Sequence, residues 1–225
     1  MLEPISEALY FTRRNFTSIN KVMLPYLALL MLADFVVAMV NPNSPLLLKL
    51  QTIFAFVIYP YFMAKLIRYL HFAIRTGRNG SMPDELNVPF PLWSTLFLGY
   101  LVHGLATAAG LLAFVLPGIL IFLRMSFIDF NIVCRRKSLT SSITASWHQT
   151  SDNKIDIFVG LLAITIPVAL VSIILLHTLT SAGWDLPALL LSNVISVYTT
   201  IFTTVFLFRH FTLAEEEMDN TNIQV

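Results

Sequence analysis

Apolar residues fall along this chain in six blocks separated by short polar stretches, at about Val22 to Val40, Leu46 to Leu70, Leu92 to Leu116, Gly118 to Cys134, Ile155 to His177 and Ala188 to Phe211. A helix of roughly 20 apolar residues crosses the hydrocarbon core of a bilayer, so each block predicts a spanning helix. The first two are separated by NPNSP, a turn-forming cluster, and the last two by TLTSAGWDLP. Between the third and fourth, only Pro117 and Gly118 are available as a turn. One continuous helix there would exceed about 60 Å, twice the core thickness, so a tight hairpin turning at Pro117–Gly118 is expected. Two other segments repeat at helical spacing with one apolar stripe. Leu2, Ile5, Leu9, Phe16 and Ile19 place an amphipathic helix over 2–19, and Leu139, Ile143 and Trp147 place a weaker one over 138–150; both read as lying in the membrane interface, although the first stripe could pack against protein instead. The acidic tail 214–225 is expected to be disordered. The fold class that results is an all-α polytopic membrane protein, with residues 1–213 as a single six-helix domain.

Composition supports that class. Among the 225 residues, 56% are hydrophobic and 12% charged, against about 25% charged in soluble domains, and a bilayer accepts apolar surface that a soluble domain of this size could not bury. Cys134 stands alone, so an intrachain disulfide is impossible. The first twenty residues carry Glu3, Glu7, Arg13 and Arg14 with no apolar run, so no cleavable signal peptide is expected. The net charge of +1 is uninformative, but the placement of the 14 basic residues is not. On six spans, all of them except Lys49 and Arg124 fall on the side of the termini. Positive charge is retained on the cytoplasmic side, so both termini are expected there.

Charge inside the apolar blocks carries the candidate chemistry, since an ionisable group at that depth needs protein, water or a partner. Arg124 and Asp129 share the fourth block, but five residues turn a helix by about 140 degrees, so they point to different faces. Counting from the outer ends of their spans predicts that Arg124 pairs with Asp34. Lys65 is the expected, weaker partner of Asp129, because it can also snorkel to the headgroups. His103 lies mid-block on the third span. The sixth span carries a hydroxyl stripe that includes Thr199 and Thr203. Helix-packing contacts and a proton or substrate path are both open to these residues. The five histidines have no metal-ligand spacing and no glycine-rich phosphate loop is present, so no catalytic set, metal or cofactor is expected, and no nucleic acid partner.

One resemblance covers most of the chain. The Leu116-Pro117-Gly118 turn, the short span after it, and the linker helix with Ser142, Ser146 and Thr150 are similar to the YciC family of bacterial inner-membrane proteins. Tyr10, Asn15 and Phe16 match that family's entry segment, and Leu207, Phe208, Arg209 and Phe211 its closing pattern. The chain departs from the pattern at Arg135, Arg136, Lys137, His148 and Asp129. The resemblance implies a six-helix inner-membrane protein. The family has no settled activity, so no functional residues transfer. The expected function is a non-enzymatic membrane component or partner subunit in envelope organisation, acting in the lipid bilayer and with another membrane or envelope protein. The alternative is a small transporter or lipid-handling protein. The two differ in whether the intramembrane charges line a cavity or sit paired in a dry interface.

Overall fold

The computed structural model describes residues 2–41, 44–77, 86–151 and 153–223. Among these residues it contains nine helices and no strand: α1 Leu2–Arg14, α2 Phe16–Val40, α3 Pro45–Thr76, α4 Phe90–Ala113, α5 Val115–Arg124, α6 Ile128–Arg135, α7 Leu139–Gln149, α8 Lys154–Ser181 and α9 Asp185–Ile223. Counting α5 and α6 as one, six are long and apolar enough to cross a bilayer. The boundaries have local causes. Ser44 caps α3 by accepting the Leu47 amide at 3.4 Å, with Pro45 in the first turn, and the helix stops at Gly77, whose φ of 64° suits a residue without a Cβ. Ser138 caps α7 in the same way through the Ser141 amide.

Antiparallel packing gives the bundle two ends. α1, the α6–α7 turn and the last turns of α9 form the terminal face, where Arg209 pairs with Glu7 and Arg135 with Glu215. The α2–α3 and α8–α9 turns form the far face. A rung near the far face fixes the register: the Asp34 carboxylate of α2 accepts hydrogen bonds from Gln51 of α3 and Asn193 of α9. These residues lie six to eight positions from the far ends of their helices, a depth of about 9 to 12 Å at 1.5 Å per residue.

The packed core sits in the terminal half. Ile19 and Met23 of α2, Met63, Leu66, Ile67, Tyr69 and Leu70 of α3, Phe127 and Phe130, and Phe206, Phe208 and Phe211 of α9 are the largest fully buried side chains. Four of these phenylalanines, Phe127, Phe130, Phe208 and Phe211, form one aromatic cluster with ring centroids 5.4 to 6.1 Å apart. Toward the far face Ile173, Ile174 and Val171 are exposed, as lipid-facing side chains are.

Four expectations are corrected. The amphipathic entry helix ends at Arg14 rather than residue 19, because buried Asn15 interrupts it: its Nδ2 donates to the Phe11 carbonyl and its Oδ1 accepts from the Tyr69 hydroxyl at 2.9 Å. Its apolar stripe therefore splits, with Ile19 buried in α2 and Leu9 and Phe16 exposed, while Ala8 faces inward. The hairpin turns at Phe114, not at Pro117–Gly118. Proline is accommodated in the first turn of α5, where amide donors have no intrahelical acceptor. The fourth block is broken at Met125–Phe127 into α5 and α6. Finally, α9 continues to Ile223 through the segment expected to be disordered, and its first two residues are packed, Ala214 being buried and Glu215 paired with Arg135; residues 224–225 lie outside the described residues.

Candidate functional site

Where α5 breaks, the chain makes a polar joint that depends on a serine twenty residues further on. The Ser146 hydroxyl donates to the Arg124 carbonyl at 2.7 Å and accepts the Phe127 amide at 3.1 Å, serving both sides of the break. Thr150 donates back to the Ser146 carbonyl at 2.8 Å. Asn131 Nδ2 ties the same joint to Gln149 Oε1 at 2.7 Å and to the Phe127 carbonyl at 2.9 Å. α7 thus turns its hydroxyl and amide face inward and leaves Trp147 exposed.

The break opens a cavity of about 190 Å³ between α3, α4, α6 and α9. Tyr59, Tyr100, His103, Ser126, Asp129, Thr200, Thr203 and Thr204 supply its polar lining, and Met63, Leu96 and Phe122 part of its apolar wall. Asp129 is held at the start of α6, where a carboxylate suits the helix N-terminus, by the Tyr100 hydroxyl at 3.2 Å and the Phe130 amide at 3.0 Å. Tyr59 packs edge-on against Tyr100 at 5.1 Å, and His103 lies against Phe122 at 5.3 Å. The His103 Nε2 is buried without a hydrogen-bond partner. Buried polar atoms are ordinarily paired, so an open imidazole nitrogen on a polar cavity is a group ready to meet water or a ligand.

Both expected ion pairs are absent. Arg124 donates to the Trp147 carbonyl at 2.7 Å and its guanidinium lies 5.5 Å from the centre of the Trp147 ring, while Asp34 is satisfied by the neutral side chains of Gln51 and Asn193. The depth count placed Arg124 near the far face. Its neighbours Met125 and Ser126 instead share the cavity with Thr204, which lies eleven residues, about 16 Å, below Asn193 on α9. Lys65 does not reach Asp129; its ammonium lies over the Tyr61 ring of its own helix, 4.6 Å from the centroid. The hydroxyl stripe is partly turned on its own helix, Thr199 donating to Ile195 and Thr203 to Thr199 at 2.7 and 2.9 Å. Thr203 also lines the cavity and Thr199 does not. Of the seven candidates, His103, Asp129 and Thr203 come together; Asp34, Lys65, Arg124 and Thr199 do not join them. Sequence reasoning missed Tyr59, Tyr100, Gln51 and Asn193. Their neutral side chains gave no signal in a search for charge partners.

A second polar feature lies on the terminal face. Arg68, Arg75, Arg136 and Lys137 line a cleft of about 1050 Å³ with His71 and Asn87. Burial first, and the charge of Arg135 next, hold the Lys137 ammonium below its ordinary pKa. Among the described residues no group of His, Cys, Asp and Glu is arranged to hold a metal ion.

No known protein family, curated protein or solved structure matches this chain.

Proposed function

We propose that this protein is a non-enzymatic carrier of the bacterial inner membrane, similar to the YciC family, that admits a small polar solute or ion to the Asp129 cavity. The observation that carries this reading is the convergence on one cavity of the Asp129 carboxylate, the Tyr100 hydroxyl, the open Nε2 of His103 and the hydroxyls of α9. At Asp34 the carboxylate is closed off by two neighbouring amides, whereas the groups around Asp129 face a shared cavity. The size of the cavity favours a solute of a few heavy atoms or a hydrated cation over a lipid chain. No cofactor is required. Placement of both termini in the cytoplasm is supported by the basic residues of the terminal face, where the Arg68 to Lys137 cleft would also meet anionic headgroups. The lipid bilayer is the essential partner, with no role for nucleic acid.

The closed rung at Asp34, 3% exposed and satisfied by amides, supports the second reading of a partner subunit in envelope organisation, since it serves packing alone. Purified protein in liposomes, exposed to a panel of small cations, amino acids and polyols while flux or current is recorded, separates the two. Uptake above protein-free vesicles that disappears in Asp129→Asn supports the carrier. A panel without response, or a response equal in Asp129→Asn, removes it.

A further inference from the structure

The two arms of the α4–α5 hairpin are unequal: α4 has 24 residues, and its partner is too short to span on its own. α5 contains 10 residues and climbs about 15 Å at most. Its lower end is fixed against α9, because Met125 and Ser126 share a cavity with Thr204 and Leu207. Thr204 lies nineteen residues, about 28 Å, from the start of α9 at Asp185. The cavity is lined by α9 from Thr200 to Leu207, so even if α5 ran parallel to α9, the turn at Phe114 would stop about 8 to 18 Å short of the far end, and any tilt lowers it further. α8 gives the same answer. Arg124 is tied to Trp147 and Ser146, just ahead of the first turn of α8, and a climb of about 15 Å covers less than half of that helix's 28 residues.

The composition and chemistry of the turn fit a place inside the hydrocarbon. From Gly104 to Leu123 Thr107 is the one polar side chain, whereas the two far-face turns read NPNS and TSAGWD. At the tip Leu112 is 89% exposed, Phe114 76% and Leu116 73%. Irregular backbone is costly in lipid, and this turn uses one non-helical residue. The Phe114 amide reaches the Gly110 carbonyl at 2.9 Å, the Gly118 amide reaches the Phe114 carbonyl at 3.3 Å, and Pro117 has no amide to satisfy, which leaves the Val115 and Leu116 amides as the open donors of the turn. Close approach of the two arms is set by glycine: a Cβ on Gly110 would lie 2.8 Å from the Gly118 Cα.

We infer that α4–α5 is a re-entrant hairpin. It enters from the terminal face, turns within the membrane and returns, so that its apolar tip meets the acyl chains of the lipid and four helices, α2, α3, α8 and α9, cross the bilayer. Removing two crossings leaves the two termini on the same side. It also accounts for a core whose largest buried side chains lie in the terminal half and for exposed apolar side chains on the far half of α8.

Single cysteines on a Cys134→Ser background test this, with Leu112→Cys and Phe114→Cys at the tip, Asn41→Cys and Ser181→Cys on the far face, and Ser138→Cys on the terminal face. Membrane-impermeant maleimide is applied to either side of sealed vesicles. The tip cysteines are expected to react at least about tenfold more slowly than either control set from both sides, and to react fully once detergent unfolds the protein. A nitroxide at position 112 should be relaxed by dissolved oxygen in preference to a water-soluble nickel chelate. Both tip positions are exposed, so these changes remove little packing. Labelling of the tip from the far side at the rate of Asn41→Cys, or preference of the nitroxide for the chelate, overturns the inference.

Discussion

Ser142 and Ser146 lie one turn apart on α7, both fully buried, and differ in one respect that a mutation can isolate. Ser146 serves the Arg124 carbonyl and the Phe127 amide at the α5–α6 break, while the Ser142 hydroxyl has no partner. Ser146→Ala leaves a buried donor and a buried acceptor unpaired. Thr150, whose hydroxyl is 3.5 Å from the same carbonyl, can recover part of the acceptor loss. An unsatisfied buried group costs about 1 to 3 kcal/mol in soluble proteins, and interhelical hydrogen bonds in membranes are worth about 0.6 to 2, so a net loss of about 1 to 2 kcal/mol is expected. That is a change of roughly five- to thirtyfold in the unfolding equilibrium. Ser142→Ala removes a hydroxyl that gains nothing from burial and should be neutral or slightly stabilising. Equilibrium unfolding in mixed micelles, followed by tryptophan fluorescence, measures both. The argument fails if the two variants lose stability equally, because shape alone would then explain the position and the polar joint would contribute nothing.

Further outcomes follow from other contacts. Gly160→Ala should sharply reduce folded protein, since its Cβ would lie 2.2 Å from the Phe206 ring, and a second change Phe206→Leu should restore part of it, as read by monodispersity in detergent. The charge-swapped pair Asp34→Arg with Arg124→Asp should accumulate no better than either single change, because the two residues do not touch; recovery would contradict the placement of Arg124. Glu215→Gln should alter stability by less than about 1 kcal/mol, since its pair with Arg135 is part exposed and screened by solvent; a larger loss in the same unfolding assay would assign the pair a structural role.

Hydropathy alone located the long helices and the linker helix, because blocks of apolar residues and a 3.6-residue period are local properties of the chain. The break at Met125–Phe127 was invisible, since it contains neither glycine nor proline and is made by Ser146 from a later helix. The partner of Arg124 was missed for a related reason. The fourth block was counted as one straight helix from its outer end, which put Arg124 level with Asp34, whereas it lies at the break beside Trp147. The partners of the charges were missed because charge was sought for charge, whereas Asp34 is served by two amides and Asp129 by a phenol and a backbone amide. His103, Asp129 and Thr203 were legible as candidates one at a time. That they share a cavity depended on the break, which only the fold reveals.

The most direct test of the central claim, that the bundle holds a hydrated polar cavity at Asp129, is the reaction of a small water-soluble thiosulfonate with Thr203→Cys and with Thr199→Cys in vesicles, on a Cys134→Ser background. Thr203 lines the cavity and Thr199, one turn away, does not. The account predicts fast modification of Thr203→Cys and slow modification of Thr199→Cys; equal, negligible rates at both would mean that the cavity is dry and the carrier reading is wrong.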